Sequence, residues 1–300
     1  MSETNGKSWA NIRPHFLLVI TVMIWAGNAI AGKFAVGHIS PMVLTFSRWS
    51  LAFIIVCLFA HRQIARDWPI IRKNLPYLLI MGTIGYSGFN LLLYSALHFT
   101  TAINVAIEQS AMPLMIFIGS LLLYRQTFGW LQVIGFTLTL IGVAIVITGG
   151  DLSLLQAQIF NRGDIMMFFA AICYSAYSIG LKQKPDMHWL SLLAAFFAGA
   201  LIASIAALIW EINAGEALFP STTTGFAVVA FTAIFPSIVA QACYIEGVGK
   251  LGANAAGIYI NLLPIFAAIL AVLLLNETLA MFHVVALILV IAGITLVQRK

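Results

Sequence analysis

Two charged side chains, Glu108 and Arg48, lie within long apolar stretches of the sequence. Glu108 stands beside Gln109 in INVAIEQSAMPLM (103–115), and Arg48 stands in SRWSLAFII (47–55). An ionisable group inside a lipid bilayer is costly, and it typically pairs with an opposite charge or marks a pathway for a substrate or an ion. If these stretches cross a membrane, three roles are open for Glu108: one half of an ion pair, a ligand for an ammonium group, or a carrier of protons.

Polar and aromatic side chains also recur at helical spacing within the apolar stretches. Residues three or four positions apart share one face of a helix. The members of these sets are Trp25, Asn28, Tyr86, Asn90, Tyr94, Tyr174, Tyr177, Ser237, Gln241 and Tyr244. Any one of them is equally compatible with a bridge between helices or with the aromatic belt at a membrane surface. The whole set, however, favours the wall of a cavity.

The composition indicates that these residues lie in a membrane. The chain is 62% hydrophobic and only 8% charged, and its mean hydropathy is +1.01. Soluble domains carry about 25% charged residues, so this chain cannot cover its apolar residues with a polar surface. Strict alternation of apolar and polar residues is absent, which favours helices over a β-barrel. The sequence therefore predicts an all-α integral membrane protein.

The number of membrane spans follows from the length of the apolar stretches. A helix needs about 20 apolar residues to cross a ~30 Å hydrocarbon core. Ten stretches have a suitable length: 16–34, 42–60, 75–97, 101–124, 130–149, 165–181, 189–210, 225–246, 253–275 and 281–297. Ten transmembrane helices are therefore expected.

The positions of the basic residues predict the orientation, because Lys and Arg concentrate on the cytoplasmic side of a membrane. With the N-terminus inside, the outer segments hold only Lys33 and Arg162. The inner segments hold Lys7, Arg13, Arg62, Arg66, Arg72, Lys73, Arg125, Lys182, Lys184, Lys250, Arg299 and Lys300. Both termini are therefore predicted to be cytoplasmic.

This orientation places Arg48 and Glu108 at a similar depth. Each lies some seven positions from the outer end of its span, which is roughly 10 Å at 1.5 Å per residue. Equal depth and opposite charge favour an ion pair between the two side chains. Under that interpretation Arg48 is a structural residue and not a ligand.

The two halves of the sequence resemble each other. Residues 102–127 align with 253–278 at an offset of 151, which matches Pro113 with Pro264. WAGNAIAGK (25–33) likewise aligns with YSAYSIGLK (174–182). An alternative interpretation of the first span is a signal peptide that is cleaved near Ala29-Ile30-Ala31. The second alignment favours a first span that is retained.

The repeat divides the chain into residues 1–150, with spans one to five, and residues 151–300, with spans six to ten. An odd number of spans in each half inverts the second copy relative to the first. Inverted repeats are typical of secondary transporters, whose substrate site lies near the midplane where the repeats meet. Tyr259 falls at the repeat position of Glu108, and Asn261 at that of Ser110.

Several motifs resemble the drug/metabolite transporter superfamily over essentially the whole chain. They are W-A-G-N (25–28), S-R-W (47–49), and the recurrence of LLLY (121–124) as LLLN (273–276). Within that superfamily, the sequence looks most similar to bacterial exporters of aromatic amino acids. The resemblance implies ten helices in the inner membrane and export without ATP. It also implies a central cavity lined by helices 1, 3, 4, 6, 8 and 9.

We therefore expect a secondary transporter that works by alternating access. Its expected substrates are aromatic and other bulky uncharged amino acids, or similar small amphipathic metabolites, and the lipid bilayer is its other partner. The expected substrate-binding residues are Trp25, Asn28, Tyr86, Asn90, Glu108, Tyr174, Tyr177, Gln241, Tyr244 and Tyr259. Two alternatives remain open: an exporter of lipophilic cations that uses Glu108, and a multi-span membrane enzyme.

Other classes of function find no support in the sequence. No G-x-x-x-x-G-K-[ST] loop is present to bind ATP, and the cysteines and histidines lack metal-ligand spacing, so no cofactor or metal is expected. The basic residues are scattered over short loops, which is untypical of nucleic-acid binding. The glycine-rich segment GTIGYSG (82–88) is interpreted as a site of close helix packing.

Overall fold

The computed structural model describes residues 3–124, 129–151, 161–251, 259 and 262–298. These residues form helices joined by short turns, and no strand occurs among them. The helices are α1 (Glu3–Ala35), α2 (Pro41–Lys73), α3 (Leu75–Gly82), α4 (Phe89–Ala96), α5 (Ala102–Gln109), α6 (Met112–Tyr124), α7 (Trp130–Ile147), α8 (Arg162–Gly180), α9 (Trp189–Asn213), α10 (Thr223–Ile234), α11 (Ala240–Leu251), α12 (Leu263–Leu275) and α13 (Met281–Gln298). The predicted all-α class is confirmed for this part of the chain.

Six described segments are long and apolar enough to cross a membrane. They are Pro14–Ala35, Pro41–Lys73, Leu75–Ala96, Arg162–Gln183, Trp189–Asn213 and Thr223–Tyr244. Three shorter apolar helices fall on the predicted spans five, nine and ten: Trp130–Val146, Leu263–Leu275 and Met281–Gly293. The predicted fourth span corresponds to two short helices, α5 and α6.

The prediction of one continuous helix over 101–124 is wrong, because the chain breaks at Ser110 and Ala111. Here the backbone N–H groups of Ser110 and Ala111 donate to the carbonyls three residues earlier, each at 3.0 Å. Pro113 has no backbone N–H to donate to the carbonyl of Gln109, so the helical hydrogen bond at this point is lost and a break is favoured. Broken helices are frequent at the binding sites of transporters.

The same break recurs in the second half of the chain. The N–H of Leu262 donates to the carbonyl of Tyr259 at 2.9 Å, as the N–H of Ala111 does to the carbonyl of Glu108. Both pairs are related by the offset of 151 residues, and α12 begins at Leu263 as α6 begins at Met112.

Two π-helical turns also occupy corresponding places in the two halves. Thr83–Gly88 joins α3 to α4, and Phe235–Val239 joins α10 to α11. The offset of 151 residues carries the first turn onto residues 234–239. Such turns insert an extra residue into a helix and often lie at functional sites.

Helices α2 and α9 run antiparallel and cap each other. At one end, Ser40 Oγ donates to Glu211 Oε2 at 2.6 Å, and the N–H of Val43 donates to the same oxygen at 3.2 Å. At the other end, the N–H of His188 donates to Asp67 Oδ2 at 2.9 Å. Each acid therefore satisfies unpaired N–H groups at the start of the neighbouring helix, where a negative charge is favourable.

The packing of the helices is reciprocal between the two halves. Helix α1 packs against α11 and α12, while its counterpart α8 packs against α4 and α6. Helix α3 packs against α9, as α10 packs against α2, and α7 lies along α13. Each of these contacts between helices of the two halves therefore corresponds to a contact between their repeat counterparts.

Candidate functional site

A cavity lies where α1, α2 and α8 meet the two π-helical turns and the break between α5 and α6. The empty space within it is about 830 Å³, including a part that is open to solvent. Its wall is formed by Trp25, Asn28, Arg48, Trp49, Gly85, Tyr86, Phe89, Asn90, Gln109, Ser110, Met112, Ile116, Tyr174, Pro236, Gln241 and Leu263. We call it the central cavity.

Arg48 is the charged group in the wall of the central cavity, and it is 4% exposed. Its Nη1 donates to Asn28 Oδ1 at 3.0 Å, to Asn90 Oδ1 at 2.7 Å and to the hydroxyl of Tyr94. Its Nε donates to Ser237 Oγ at 2.8 Å. All four partners are neutral, and Nη2 forms no hydrogen bond with the described residues. Among the described residues, no carboxylate pairs with this buried cation, which stands beside an open cavity.

The predicted ion pair between Arg48 and Glu108 is wrong. The guanidinium is held by neutral groups on α1, α4 and the second π-helical turn. Neither carboxylate oxygen of Glu108 has a hydrogen-bond donor among the described residues. The sequence predicted the depth of both residues in the membrane but not the helix face on which each lies. Arg48 lines the central cavity, whereas Glu108 lines a second, smaller cavity.

Aromatic rings form much of the remaining wall. The rings of Trp49 and Tyr86 are stacked, with centroids 5.0 Å apart and an interplanar angle of 10°. The centroids of Phe89 and Tyr174 are 5.4 Å apart, and the guanidinium carbon of Arg48 lies 4.6 Å from the centroid of Trp49. An aromatic wall accepts an apolar or aromatic side chain by offset stacking.

The structure places several of the predicted binding residues in one wall and others behind it. Those that line the central cavity are Trp25, Asn28, Tyr86, Asn90, Tyr174 and Gln241. Tyr244 packs behind Trp25, with ring centroids 5.2 Å apart, and Tyr177 lies behind Tyr86, with hydroxyl oxygens 3.2 Å apart.

Two further predicted residues lie elsewhere. Tyr259 is hydrogen-bonded through its hydroxyl to Nδ1 of His15. Glu108 lines a second, smaller cavity of about 280 Å³ together with Asp164. Neither residue is among those that line the central cavity, and their role in substrate binding remains a prediction. Asn261 lies outside the described residues.

Among the wall residues that the sequence analysis missed, four carry polar groups in their side chains: Arg48, Trp49, Gln109 and Ser110. Arg48 was treated as a structural residue, and the implied set of cavity helices did not include α2. Gln109 and Ser110 are drawn into the wall by the break after α5. The recurrence of proline at 113 and 264 was the signal that could have located this break.

No cluster of three or more His, Cys, Asp or Glu side chains with metal-binding geometry occurs among the described residues. The polar groups of the central cavity are instead Arg48, two asparagines, two glutamines, a serine and tyrosine hydroxyls. Such a set offers hydrogen bonds and one positive charge to a small solute.

The chain is similar to known transporters over nearly its whole length. It is 24% identical over 282 residues to the uncharacterized transporter YyaM of Bacillus subtilis (strain 168), covering 93% of this chain and 92% of that protein. It is 26% identical over 293 residues to an uncharacterized transporter of Archaeoglobus fulgidus, covering 97% and 99%. The names of these relatives do not identify a substrate.

A solved crystal structure has the same fold. It matches with a TM-score of 0.61 at 16% sequence identity, covering 94% of this chain and 95% of the other. The sequence pattern of the EamA-like transporter family matches residues 12–148 and again residues 161–299. The two matched segments fall in the two predicted halves, and together they span most of the chain. The chain therefore belongs to the EamA-like transporter family, within the drug/metabolite transporter superfamily.

Proposed function

We propose that this protein is a secondary transporter that exports small amphipathic solutes bearing a carboxylate, with aromatic and other bulky uncharged amino acids as its main substrates. The observation that carries this proposal is Arg48, a buried cation in the wall of an aromatic cavity that has no counterion among the described residues. A substrate carboxylate would balance that charge, because a guanidinium binds carboxylates through paired N–H groups. The aromatic class of substrate rests on the resemblance described above.

Each part of such a substrate has a complementary surface. The carboxylate would meet Nη2 of Arg48, and the side chain would stack on Trp25, Tyr86 or Tyr174. The ammonium group would find neutral acceptors in the side-chain carbonyls of Gln109 and Gln241. Binding would be weak, near millimolar or about −4 kcal/mol, since an exporter must release what it binds.

The export of lipophilic cations is less well supported. Such a substrate would have to approach Arg48, whose charge repels it at a distance where the protein interior screens poorly. Glu108, the acid on which that alternative depends, lines the second cavity instead.

We also propose ten membrane spans in two inverted repeats, residues 1–150 and 151–300, with both termini in the cytoplasm and the protein in the inner membrane. The recurring break, the corresponding π-helical turns and the reciprocal helix contacts support the repeat. The antiparallel packing of α2 and α9 supports its inversion.

The topology can be tested with two reporter fusions. Alkaline phosphatase, which is active only in the periplasm, should be active when fused after Gln156 and inactive when fused after Asp186. A reporter active only in the cytoplasm should give the opposite result at both sites. Activity of the phosphatase after Asp186 but not after Gln156 would reject the orientation.

The substrate class can be tested by flux through proteoliposomes. Labelled phenylalanine and tryptophan should cross faster than labelled lysine or tetraphenylphosphonium, because the described wall of the cavity offers aromatic rings and a cation but no acid. Empty liposomes provide the background for each compound. A flux of tetraphenylphosphonium well above that of phenylalanine would replace the proposal with cation export.

A further inference from the structure

The described wall of the second cavity contains two acidic side chains and no basic one. Glu108, at the end of α5, is 5% exposed, and Asp164, in the first turn of α8, is 6% exposed. Both side chains line this cavity, and each carboxyl group is within interaction range of the other. Both oxygens of Glu108 and Oδ1 of Asp164 lack a hydrogen-bond donor among the described residues. The rest of this cavity wall is apolar, for example Met115, Val143 and Met167.

The other titratable groups on the surrounding helices have different neighbours. Lys33 Nζ on α1 donates to the carbonyls of Leu97 and Thr100, each at 2.8 Å. His283 on α13 lies 3.1 Å from Asn104 Oδ1, Arg162 on α8 is exposed, and His15 pairs with Tyr259. The described parts of α7 and α12 carry no titratable side chain. The other titratable groups on α4 and α8 are Tyr94, Cys173, Tyr174 and Tyr177. The hydroxyl of Tyr94 accepts a hydrogen bond from Arg48. The rings of Tyr174 and Tyr177 pack against each other. The structure does not describe the side chain of Tyr124 on α6.

Two neighbouring carboxylates repel each other, and burial removes the water that would stabilise their charges. Since no described residue places a cation beside them, the pair is stable only if at least one proton stays between the two groups. One carboxyl O–H then donates to an oxygen of the other acid. A metal ion would need more oxygen ligands than this apolar wall provides.

The same two elements form the walls of both cavities. On the α5–α6 segment, Glu108 and Ala111 face the second cavity, whereas Gln109 and Ser110 face the central one. On α8, Asp164 faces the second cavity, and Tyr174 faces the central one. A change in the charge of the acid pair therefore acts on the segment that also lines the substrate cavity.

The repeat places a second titratable pair at the corresponding position. Tyr259 corresponds to Glu108, and the alignment of 25–33 with 174–182 makes His15 the counterpart of Asp164. His15 and Tyr259 are hydrogen-bonded to each other, as Glu108 interacts with Asp164. Each half thus ties its broken span to the first helix of the other half through a titratable pair.

We propose that Glu108 and Asp164 together hold one exchangeable proton, and that its release and uptake couple a proton gradient to solute export through the central cavity. This inference rests on the proposed transport function. In the proposed orientation the pair lies in the outer half of the protein, so the proton enters from outside as the solute leaves. One proton then moves inward for each solute exported.

The proton site can be tested without any transport. Dicyclohexylcarbodiimide reacts with protonated carboxyl groups in apolar surroundings. The acid proton moves to one carbodiimide nitrogen, the carboxyl oxygen adds to the central carbon, and an acyl shift then gives a stable N-acylurea. Mass spectrometry of the purified full-length protein should find this adduct on Glu108 or Asp164, with less of it as the pH is raised. Exposed Glu216 serves as the internal control and should remain unmodified. The absence of an adduct on both acids at every pH would overturn the proposal.

Coupling is tested by comparing two fluxes in the same proteoliposomes. Wild-type protein should accumulate phenylalanine in vesicles with an acidic lumen, by up to ~10-fold for a pH difference of one unit and one proton per solute. Glu108→Gln and Asp164→Asn should retain the exchange of phenylalanine for phenylalanine but lose the accumulation, whereas Glu216→Gln should retain both. Full accumulation by either variant of the pair would overturn the coupling.

The two proposals fail in distinguishable ways. If wild-type protein exchanges no phenylalanine, the proposed substrate is wrong, and the carbodiimide reaction still decides the proton site. If Glu108→Gln does not fold, Asp164→Asn and the labelling of wild-type protein decide it.

Discussion

Replacing Arg48 with methionine should lower the flux of phenylalanine by roughly 10- to 100-fold, the effect of losing one or two hydrogen bonds to a charged group at ~1.5–3 kcal/mol. Methionine fills a similar volume but offers neither a charge nor a donor to the substrate carboxylate. Arg48→Lys should give an intermediate flux, because lysine keeps the charge but not the planar arrangement of donors. Initial rates in proteoliposomes measure these differences.

Selectivity distinguishes this role of Arg48 from a structural one. Phenethylamine has the ring and the amine of phenylalanine but lacks the carboxylate. Wild-type protein should transport phenylalanine much faster than phenethylamine, and Arg48→Met should remove that preference. A merely structural arginine would lower both fluxes by the same factor and leave their ratio unchanged. That unchanged ratio, in protein of normal thermal stability, would contradict the proposed carboxylate site.

A matched control is available on the same helix. Arg62 lies on α2 and is exposed, so Arg62→Met removes an identical charge without touching the cavity. It should leave both fluxes within twofold of wild type. Arg48→Met also removes the donor for Asn28, Asn90 and Tyr94, so some loss of thermal stability is expected alongside the change in selectivity.

Composition and periodicity were sufficient to predict the membrane-embedded helical class and several residues of the central cavity. Trp25 and Asn28, Tyr86 and Asn90, and Tyr174 were predicted from spacing on one helix face, and the structure places them in a common wall. Spacing succeeds here because residues three or four apart must share a face whatever the tertiary arrangement. The substrate-binding role of these residues remains a prediction.

The partners of Arg48 and Glu108 could not be predicted from depth alone. Depth depends on position along a helix, whereas contact also depends on the rotation of each helix and on the break at Ser110. Asp164 was overlooked because the predicted sixth span began at residue 165, which left this acid in a loop. The structure places it inside the first turn of α8 and 6% exposed. An error of a few residues at a helix end thus concealed the partner of Glu108.

The glycine-rich segment 82–88 was interpreted as a packing site, and its first glycine has a large predicted effect on stability. The backbone of Gly82 lies against the backbone of α9, and a methyl group built at Gly82 would be 1.9 Å from the carbonyl oxygen of Phe196. The contact is reciprocal: a methyl group at Gly199 would be 2.3 Å from the carbonyl oxygen of Leu79. Thr83 Oγ1 donates to the carbonyl of Gly199 at 3.1 Å between these two sites.

Gly82→Ala should therefore lower the free energy of unfolding by about 3 kcal/mol, at the upper end of the range for overpacking, because a backbone carbonyl cannot rotate aside as a side chain can. Gly199→Ala should have a similar effect for the same reason. In contrast, Gly129→Ala should cost no more than about 1 kcal/mol, since its nearest neighbour would lie 3.9 Å away and alanine is roughly 0.5–1 kcal/mol less favourable than glycine at a helix start. Thermal unfolding of the purified variants in one detergent, followed by the monodisperse fraction on size exclusion, measures all three.

The same substitution should also disturb the cavity, because α9 supports its aromatic wall. Phe197 of α9 packs against both Trp49 and Tyr86, with ring centroids 5.3 and 5.7 Å apart. Moving α9 outward to accommodate a methyl group at Gly82 would withdraw that support and let the stacked rings shift. We therefore expect folded Gly82→Ala protein to transport phenylalanine more slowly than folded Gly129→Ala protein. Equal unfolding temperatures for these two variants would show that α3 and α9 are not in backbone contact, and the packing role of Gly82 would then be rejected.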